Sequence, residues 1–337
     1  MRATSFRMVR LPAIVLLLVF GGFATSASAK KPVREPPPPP PEPPVCEAPQ
    51  PTYALFLDSY PKGRFHLAVL PCLSDEQVEP VAIQKLKLDL PRREDRQFEV
   101  ANGDIFVDGA VRRIVFGGRP GPNDYWAIYE GVVDVDRATI TNIRVVVSTA
   151  FVREEDPRFS SDGQWIVYKR NGEIWKSFAG NGSFDEPAPA VTESGCELWA
   201  PSMYANVMSY ARRCGDPDSD RIVYHPESGA PEILPSQGDG PDRFSHFTRT
   251  GELVYSHVDT STNTSSLWIH YQGSDPVLLH DETVSDDDIY AERNGDEYIA
   301  FSGWTTDSYD LYVYRRTQGS AAKITNGINV LGAVLFD

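Results

Sequence analysis

The chain has 337 residues, with 47 acidic and 32 basic side chains and a formal net charge of −15. This balance argues against a nucleic-acid partner, because neutralising phosphates requires a basic surface. An acidic surface instead attracts a basic protein or a cation. The length exceeds what one small hydrophobic core needs, so it predicts either two domains or one large all-β unit.

The N-terminus has the three parts of a secretory signal peptide. Three arginines within the first ten residues give the positive charge, Leu11 to Phe23 form the apolar core, and Ala27 to Ala29 supply small residues for cleavage. The apolar core is shorter than the roughly 20 residues of a spanning helix. We therefore predict a signal peptide at residues 1–29, no membrane span, and a mature chain that is periplasmic or secreted.

A proline-rich segment follows at residues 30–52. Between Pro36 and Pro44 every residue except Glu42 is proline, and such a run neither donates backbone hydrogen bonds nor packs a core. We predict a stiff polyproline II spacer, with a docking segment for the aromatic groove of a partner as the alternative. The folded domain is expected at residues 53–337.

The segment from Asp156 to Trp175 predicts three short strands joined by two tight turns. Asp162-Gly163 and Asn171-Gly172 are dipeptides typical of such turns, and Ile166 to Tyr168 are β-branched and aromatic residues that favour a strand. A unit of this size cannot bury its faces alone, so it is expected to repeat.

Landmarks of this segment recur at steps of about 44 residues, which is typical of four-stranded propeller blades. Tyr168, the aromatic residue at the end of the second strand, recurs as Tyr210, Tyr255 and Phe301. The pattern therefore predicts four consecutive blades between Asp156 and the C-terminus.

Two further blades are predicted before Asp156. The first of them contains Tyr53 to Leu57, Arg64 to Leu70 and Leu86 to Leu90, but it lacks a first strand. Val330 to Phe336 at the C-terminus is expected to complete it, which closes the ring and removes exposed strand edges. The sequence thus predicts an all-β fold, a six-bladed β-propeller closed by a C-terminal strand that joins the first blade.

Four cysteines in an exported chain make disulfides plausible. Cys196 precedes the first strand of its blade and Cys214 follows the second, so antiparallel pairing brings the two together. Cys46 and Cys72 flank two neighbouring strands in the same way. We predict the pairs Cys46–Cys72 and Cys196–Cys214.

The repeat residues resemble those of the TolB-type family of WD-like propeller repeats. Pro157 to Gly163 is similar to the family's Pro-x-Phe/Trp-Ser-x-Asp-Gly segment, and Ile166 to Tyr168 is similar to the Ile-Ala-Phe/Tyr strand that follows it. TolB itself carries an α/β domain before its propeller, and here the proline-rich segment occupies that place. The resemblance implies the propeller fold. We expect an exported, monomeric and non-catalytic propeller, similar to the TolB-type repeat proteins, that acts as a protein-interaction or ligand-binding scaffold in the cell envelope.

Acidic residues gather in the loops that link the last strand of one blade to the first strand of the next. The set consists of Glu154, Glu155, Asp156, Asp239, Asp242, Asp286, Asp287 and Asp288. These loops emerge on one face of a propeller, so they predict an acidic rim that attracts a basic envelope or secreted protein, or a cation. Solvated polar loops are the alternative interpretation.

Two other functions remain open at this point. Asp216, Asp218 and Asp220 are spaced like calcium ligands, although Arg221 stands where an EF-hand loop needs glycine, so an acidic turn is the alternative. Calcium is the only cofactor that the sequence suggests. A glycan hydrolase or lyase would need two carboxyl groups on inner strands, and Glu99, Glu197 and Glu292 are the candidates.

Overall fold

A computed structural model describes residues 46, 50–59, 63–73, 82–91, 97–180, 184–216, 219–262, 264–283, 289–291, 297–304 and 308–337. The predicted signal peptide at residues 1–29 and most of the proline-rich segment lie outside these described residues. Within the described ranges, no helix has the length and apolar character needed to cross a membrane.

Nearly all of the described chain is β-strand. The strands in chain order are β1 (Tyr53–Leu57), β2 (Phe65–Val69), β3 (Ala82–Lys85), β4 (Lys87–Leu88), β5 (Glu99–Asp108), β6 (Val111–Arg119), β7 (Ala127–Asp134), β8 (Thr139–Val147), β9 (Glu154–Phe159), β10 (Trp165–Arg170), β11 (Glu173–Phe178), β12 (Ala188–Val191), β13 (Glu197–Tyr204), β14 (Val207–Arg213), β15 (Arg221–His225), β16 (Glu232–Ile233), β17 (Asp242–Phe247), β18 (Leu253–Asp259), β19 (Thr264–His270), β20 (Val277–Thr283), β21 (Ile289–Ala291), β22 (Tyr298–Trp304), β23 (Tyr309–Arg315), β24 (Ser320–Lys323) and β25 (Leu331–Phe336).

These strands form six small sheets, which are the six blades of a β-propeller. Blade 1 has the order β25-β1-β2-β3, blade 2 the order β5-β6-β7-β8-β4, and blades 3 to 6 contain β9–β12, β13–β16, β17–β20 and β21–β24. The predicted closure is confirmed, because β25 pairs antiparallel with β1 and places Phe336 opposite Tyr53. The C-terminal strand is therefore the inner strand of blade 1.

The antiparallel order gives the propeller two distinct faces. The inner strands β25, β5, β9, β13, β17 and β21 begin at what we call the front face, which also carries the turns between the second and third strands of each blade. The back face carries the turns between the first and second strands and between the third and fourth strands. Alternating strand directions within each blade fix this assignment.

The outer edge of blade 1 differs from the sequence prediction. Leu86 to Leu90 was expected to form its last strand, but that position belongs to β3. Strand β4 instead pairs in parallel with β8 of blade 2, with Lys87 opposite Thr139. The side chains of Leu86 and Leu88 are buried in the core that includes residues of both blades. Apolar burial between blades therefore outweighs the apparent strand period.

Each blade buries a large aromatic side chain at one recurring position of its second strand. These residues are Phe56, Phe116, Tyr168, Tyr210, Tyr255 and Phe301. Full burial of such a side chain stabilises the fold by roughly 1.5–3 kcal/mol. The predicted recurrence of Tyr168, Tyr210, Tyr255 and Phe301 is thus a repeated core position that packs neighbouring blades together.

Inner strands carry a bulge at a recurring place. One residue there adopts a positive φ in five blades, where the ladder to the second strand shifts register. The bulge residues are Asn102 (φ 25°), Asp156 (φ 52°), Ala200 (φ 46°), Phe244 (φ 53°) and Gly332 (φ 61°). A bulge bends its strand and redirects nearby side chains, so it controls what the inner strands present.

Neighbouring blades are joined by a recurring backbone hydrogen bond on the front face. An N–H group at the start of an inner strand donates to a carbonyl beside the second turn of the preceding blade. The bonds run from Glu154 to Trp126 (3.2 Å), Leu198 to Gly172 (2.8 Å), Asp242 to Asp220 (3.0 Å) and Val330 to Tyr309 (2.8 Å). We call each of these places a blade joint.

Both predicted disulfides are confirmed. Cys196 and Cys214 lie on the front face of blade 4 with a Cα separation of 4.3 Å, and they close 18 residues of sequence. Cys46 and Cys72 lie on the back face at blade 1, 5.4 Å apart, and close 26 residues. Loops of this length correspond to a stabilisation of about 3 kcal/mol for each bond.

Candidate ligand-binding site

The acidic residues predicted to form a rim occupy different environments. Glu154 and Asp242 are buried at the starts of β9 and β17, so neither presents a carboxylate to solvent. Asp242 accepts a hydrogen bond from the ring of His257 at 2.8 Å. Burial raises the pKa of Asp242, and His257 opposes that effect. These two residues belong to the interior of the blades.

The other described acids of this set are only partly available. Glu155 forms an ion pair with Arg153 at 2.5 Å, and the bulge residue Asp156 accepts a hydrogen bond from Asn102. Asp239 is exposed. Asp286, Asp287 and Asp288 lie outside the described residues. Within the described ranges, the structure therefore does not gather these carboxylates into one cluster.

Several of these acids share one structural position with the glutamates considered for catalysis. In four blades an acid at or near the start of the inner strand lies across from a base near the end of the second strand. The pairs are Glu99–Arg119 (2.6 Å), Glu154–Arg170 (3.8 Å), Glu197–Arg213 (3.7 Å) and Asp242–His257 (2.8 Å). The sequence signal for these pairs is an acidic residue at the start of the inner strand and a basic residue at the end of the second strand, which together form one hairpin.

The hydrolase alternative depended on Glu99, Glu197 and Glu292. A hydrogen bond from Lys169 lowers the pKa of Glu197, with burial acting in the opposite direction, whereas a general acid needs a raised pKa. Glu99 is held by the guanidinium of Arg119. Glu292 lies outside the described residues. The two described candidates are thus engaged in ion pairs.

The calcium interpretation meets a similar arrangement at blade 4. Asp220 is fully buried, and its carboxylate accepts two hydrogen bonds from Arg213 and one from Arg243 at 2.7–3.1 Å. Two guanidinium groups therefore occupy the oxygens that a cation would need. Asp216 is exposed, and Asp218 lies outside the described residues.

A grouping of possible metal ligands occurs elsewhere in blade 4, around Glu193. Its other members are Cys196 and Cys214. Because their sulfur atoms are joined in a disulfide, this grouping does not offer thiolate ligands to a metal.

A groove of about 490 Å³ opens on the front face at the joint between blades 2 and 3. We call it the aromatic groove. It is lined by Arg119, Asp124, Tyr125, Trp126, Phe151, Arg153 and Asn171. The turn between β6 and β7, the loop between β8 and β9, and the turn between β10 and β11 supply these residues, so two blades build the site together.

Two exposed aromatic rings form one wall of the aromatic groove. Phe151 is 82% exposed and Tyr125 is 52% exposed. Their ring centres lie 5.6 Å apart with an interplanar angle of 68°, an edge-to-face arrangement. An exposed aromatic pair beside a concavity is a common mark of an interaction site.

Phe151 is held outward by its backbone. Its φ is +65°, and it is the third residue of a turn in which the Val152 N–H donates to the Thr149 carbonyl at 3.1 Å. That position favours glycine or asparagine, because a side chain there is sterically strained. A bulky residue kept in a strained and exposed conformation is a reason to look for function.

The loop that carries Phe151 is fixed by buried polar groups. Arg170 donates to the Thr149 hydroxyl at 2.9 Å, and the Thr149 N–H donates to Glu154 at 3.4 Å. Burial raises the pKa of Glu154, while the contacts with Thr149 and Arg170 oppose that rise. Glu154, predicted as a rim residue, is therefore a support for this loop.

Two arginines border the aromatic groove, and each is paired with a glutamate. Arg119 donates to Glu99 at 2.6 Å, and its guanidinium lies 4.9 Å from the centre of the Trp126 ring. Arg153 is held by Glu155. Sequence reasoning missed this site, because Tyr125 and Phe151 belong to no motif. The available signal was a phenylalanine in the connection between two predicted blades.

A second cavity of about 370 Å³ lies on the back face, where four inner strands end. It is lined by Phe106, Val107, Ser161, Met203, Phe247, Thr248 and Arg249. Its wall is divided between polar and apolar side chains, and the apolar ones come from blades 2, 4 and 5.

Solved structures with a similar fold include TolB from Acinetobacter baumannii, with 14% identity and a TM-score of 0.57 over 84% of this chain and 65% of that chain. The chain has a TolB-like propeller fold. A puromycin-hydrolyzing peptidase from Mycobacterium tuberculosis shows 15% identity and a TM-score of 0.52 over 82% of this chain and 44% of that chain. One chain of a nidogen/laminin complex shows 10% identity and a TM-score of 0.56 over 84% of this chain and 97% of that chain.

These similarities concern the fold. This TolB-like chain spans less than two thirds of the length of TolB and less than half of the peptidase. No model of a protein family matches the sequence, and no curated protein matches it. The propeller is thus established as the scaffold, and its activity has to be argued from the sites that it carries.

Proposed function

We propose that this chain is an exported, non-catalytic β-propeller that binds a protein partner through the aromatic groove. The observation that carries the proposal is Phe151, an aromatic side chain 82% exposed on a backbone with positive φ. Strain and apolar exposure both cost stability, and a bound partner that covers the ring offsets that cost.

The composition of the groove favours a protein as the partner. Tyrosine, tryptophan, phenylalanine and arginine are enriched in the centres of protein interfaces, and five of the seven lining residues are of these types. Arg119 is already oriented by Glu99 and the Trp126 ring, so little of its side-chain entropy is lost on binding. A propeller of similar fold occurs in the nidogen/laminin complex, which is a protein assembly.

Export is the second part of the proposal. Two disulfides fit an oxidising compartment, and the sequence begins with the features of a signal peptide. We propose cleavage after Ala29, a spacer at residues 30–52, a propeller at residues 53–337 and a monomeric mature protein in the periplasm or outside the cell. Intact mass of the exported protein tests the cleavage, and light scattering tests the oligomeric state.

The acidic surface is proposed to steer a basic partner rather than to hold it. Asp239 is exposed, Asp286, Asp287 and Asp288 add acidic side chains along the chain, and the formal net charge is −15. Long-range attraction acts mainly on the association rate and is screened by salt. Replacing the three consecutive aspartates by asparagine should therefore slow association and flatten its salt dependence. An unchanged association rate would remove the steering role.

Photo-crosslinking in cells tests the partner-binding proposal. A photoreactive residue at Asn171, on the edge of the groove, should give a discrete protein adduct that disappears when Phe151→Asn is added. The same reactive residue at Tyr271, an exposed aromatic position on the back face, is the control. Mass spectrometry identifies the adduct. If no adduct depends on Phe151, the groove is not the partner site.

A further inference from the structure

We propose that the aromatic groove recognises a proline-rich segment of its partner in the polyproline II conformation. This inference rests on the proposed protein-binding function and adds the chemistry of the bound segment. It follows from three properties of the groove: the exposed rings, the excess of hydrogen-bond donors, and the rigidity of the surrounding loops.

The first property is the arrangement of the aromatic rings. Tyr125 and Phe151 stand edge to face at 5.6 Å, and Trp126 lies beside them under the guanidinium of Arg119. Proline rings are compact and apolar, and proline-rich peptides bind in grooves lined by aromatic side chains. Such a peptide has three residues per turn, so it presents a regular row of rings to this wall.

The second property is an excess of donors around the rings. Arginine offers only donors, and Arg119 and Arg153 both line the groove. The Tyr125 hydroxyl and the Asn171 amide can each donate and accept, and the Asp124 carboxylate only accepts. A proline residue has no N–H and leaves its carbonyl free to accept. The hydrogen-bond donors of the groove therefore complement a peptide that offers only acceptors.

The charges of the groove are compatible with an uncharged ligand. Arg119 is paired with Glu99, and Arg153 is paired with Glu155. The guanidinium groups are therefore partly neutralised, and Arg119 meets Glu99 through Nε and Nη2, so that its Nη1 group adds further N–H donors. A strongly anionic ligand would have to compete with these glutamates and with the overall acidic charge of the chain.

The third property is rigidity on both sides of the interaction. The Phe151 loop is fixed through Thr149 by Arg170 and Glu154, and the turn that carries Tyr125 is closed by a 3.0 Å bond from the Asp124 N–H to the Gly121 carbonyl. Polyproline II is itself a preformed conformation, so few rotatable bonds of the peptide lose conformational entropy on binding. A glycan is the competing class, since aromatic rings also pack against sugars, but sugar hydroxyls donate and accept equally. The donor excess favours the peptide.

Calorimetric titration with decaproline tests the inference on the purified full-length protein. Wild type should bind decaproline and should not bind a glycine–serine peptide of equal length. Phe151→Asn should weaken decaproline binding about tenfold or more, as expected for loss of a central aromatic contact. Tyr271→Ala removes an aromatic side chain that is 39% exposed on the back face, and it should leave the affinity unchanged.

A second full-length protein tests whether the proline-rich segment of the chain itself competes with decaproline. The chain contains eight prolines between Pro36 and Pro44, which is the kind of segment under test. A variant with these prolines replaced by serine is therefore titrated in parallel. Decaproline binding by this variant, lost again when Phe151→Asn is added, supports the inference even if wild type gives a weak signal.

Three results would overturn the inference. Decaproline that binds equally to wild type and Phe151→Asn would place the peptide elsewhere. Cellohexaose or chitohexaose that binds with Phe151 dependence, when decaproline does not, would assign the groove to glycans. Absence of decaproline binding in both proteins, together with a Phe151-dependent crosslink at Asn171, would reject the peptide chemistry and keep the protein-binding function. Absence of both signals would reject both proposals.

Discussion

The joint between blades 2 and 3 and the joint between blades 4 and 5 are built on the same backbone bond. The Glu154 N–H donates to the Trp126 carbonyl at the first joint, and the Asp242 N–H donates to the Asp220 carbonyl at the second. Their side chains differ. At the second joint Asp220 lies buried between Arg213 and Arg243, whereas the first joint opens into the aromatic groove.

Two phenylalanines sharpen this comparison, because both have positive φ and lie beside the two joints. Phe244 has a φ of 53° and packs edge to face on Trp199 at 5.1 Å. Phe151 has a φ of 65° and is 82% exposed. Phe244 is half-buried by its surroundings, whereas Phe151 stays largely exposed although it contacts Tyr125 edge to face. The joint between blades 4 and 5 thus serves the structure of the fold, while the joint between blades 2 and 3 retains exposed apolar surface that a partner can cover.

The largest expected loss of stability is at the joint between blades 4 and 5, which contains the buried carboxylate of Asp220. Asp220→Ala leaves Arg213 and Arg243 without their shared carboxylate, and breaking a buried ion pair of this kind costs about 3–5 kcal/mol of unfolding free energy. Urea denaturation measures the loss. Asp239→Ala removes an exposed acid nearby and should change the unfolding free energy by less than about 0.5 kcal/mol. Equal losses of unfolding free energy in the two variants would show that the ion pairs of Asp220 do not stabilise the fold.

Loss of the front-face disulfide should be the next largest effect. Replacing both Cys196 and Cys214 by serine removes a bond that closes 18 residues, and we expect the unfolding free energy to fall by about 3 kcal/mol. Ligand binding in the aromatic groove should not change, because the bond lies on blade 4. Thermal denaturation and crosslinking at Asn171 check the two halves of this prediction. Lost crosslinking in a folded double variant would show that the two joints are coupled.

The contact between blades 4 and 5 near the back face should also respond to pH. His270 is buried and contacts Tyr224 of blade 4 edge to face at 5.6 Å. Burial lowers the pKa of His270, and Glu232 and Asp275 act in the opposite direction. The unfolded chain therefore binds a proton more readily than the folded chain. Stability contributed by neutral His270 is present above about pH 6.5 and is lost as the pH falls below that value.

Denaturation curves of wild type and His270→Phe at several pH values test this expectation. The difference in unfolding free energy between the two proteins should shift in favour of the variant as the pH falls below about 6.5. Taking the difference cancels the contribution of the other histidines. A difference that is independent of pH would mean that His270 keeps an ordinary pKa in the fold.

The smallest effect on stability is expected at Phe151. Phe151→Asn replaces a strained and exposed ring by a residue that tolerates positive φ, so the unfolding free energy should stay constant or rise by up to about 1 kcal/mol. Phe244→Asn is the matched control and should lose about 2 kcal/mol, because its ring packs on Trp199. A clear loss at Phe151 would assign its ring a structural role.

The predictions from sequence succeeded where one local pattern repeats. The aromatic position of Tyr168, the closing strand at Val330 to Phe336 and both disulfides follow from period and strand direction, and the structure contains them. Leu86 to Leu90 was assigned to the wrong blade, because its leucines fill the space between blades 1 and 2. Strand period alone does not distinguish these two uses of leucine.

Acidic loop residues were harder to interpret, because their partners lie across a hairpin. Glu154 and Asp242 read as solvated loop acids in sequence, yet Arg170 and His257 meet them on the second strand. An acidic residue before an inner strand therefore predicts an exposed carboxylate only when the second strand of the same hairpin does not end in a basic residue. That test was available from the blade period, and it would have moved both residues to the interior.

The sequence by itself determined the blades, because each blade buries its apolar residues by the same local alternation and the ring closes when the last strand completes the first blade. The aromatic groove was decided only by tertiary structure. Tyr125 and Phe151 come from different connections of blade 2, and Asn171 comes from blade 3. Docking of the two blades brings these connections together, and Arg170 of blade 3 then binds the Phe151 loop through Thr149.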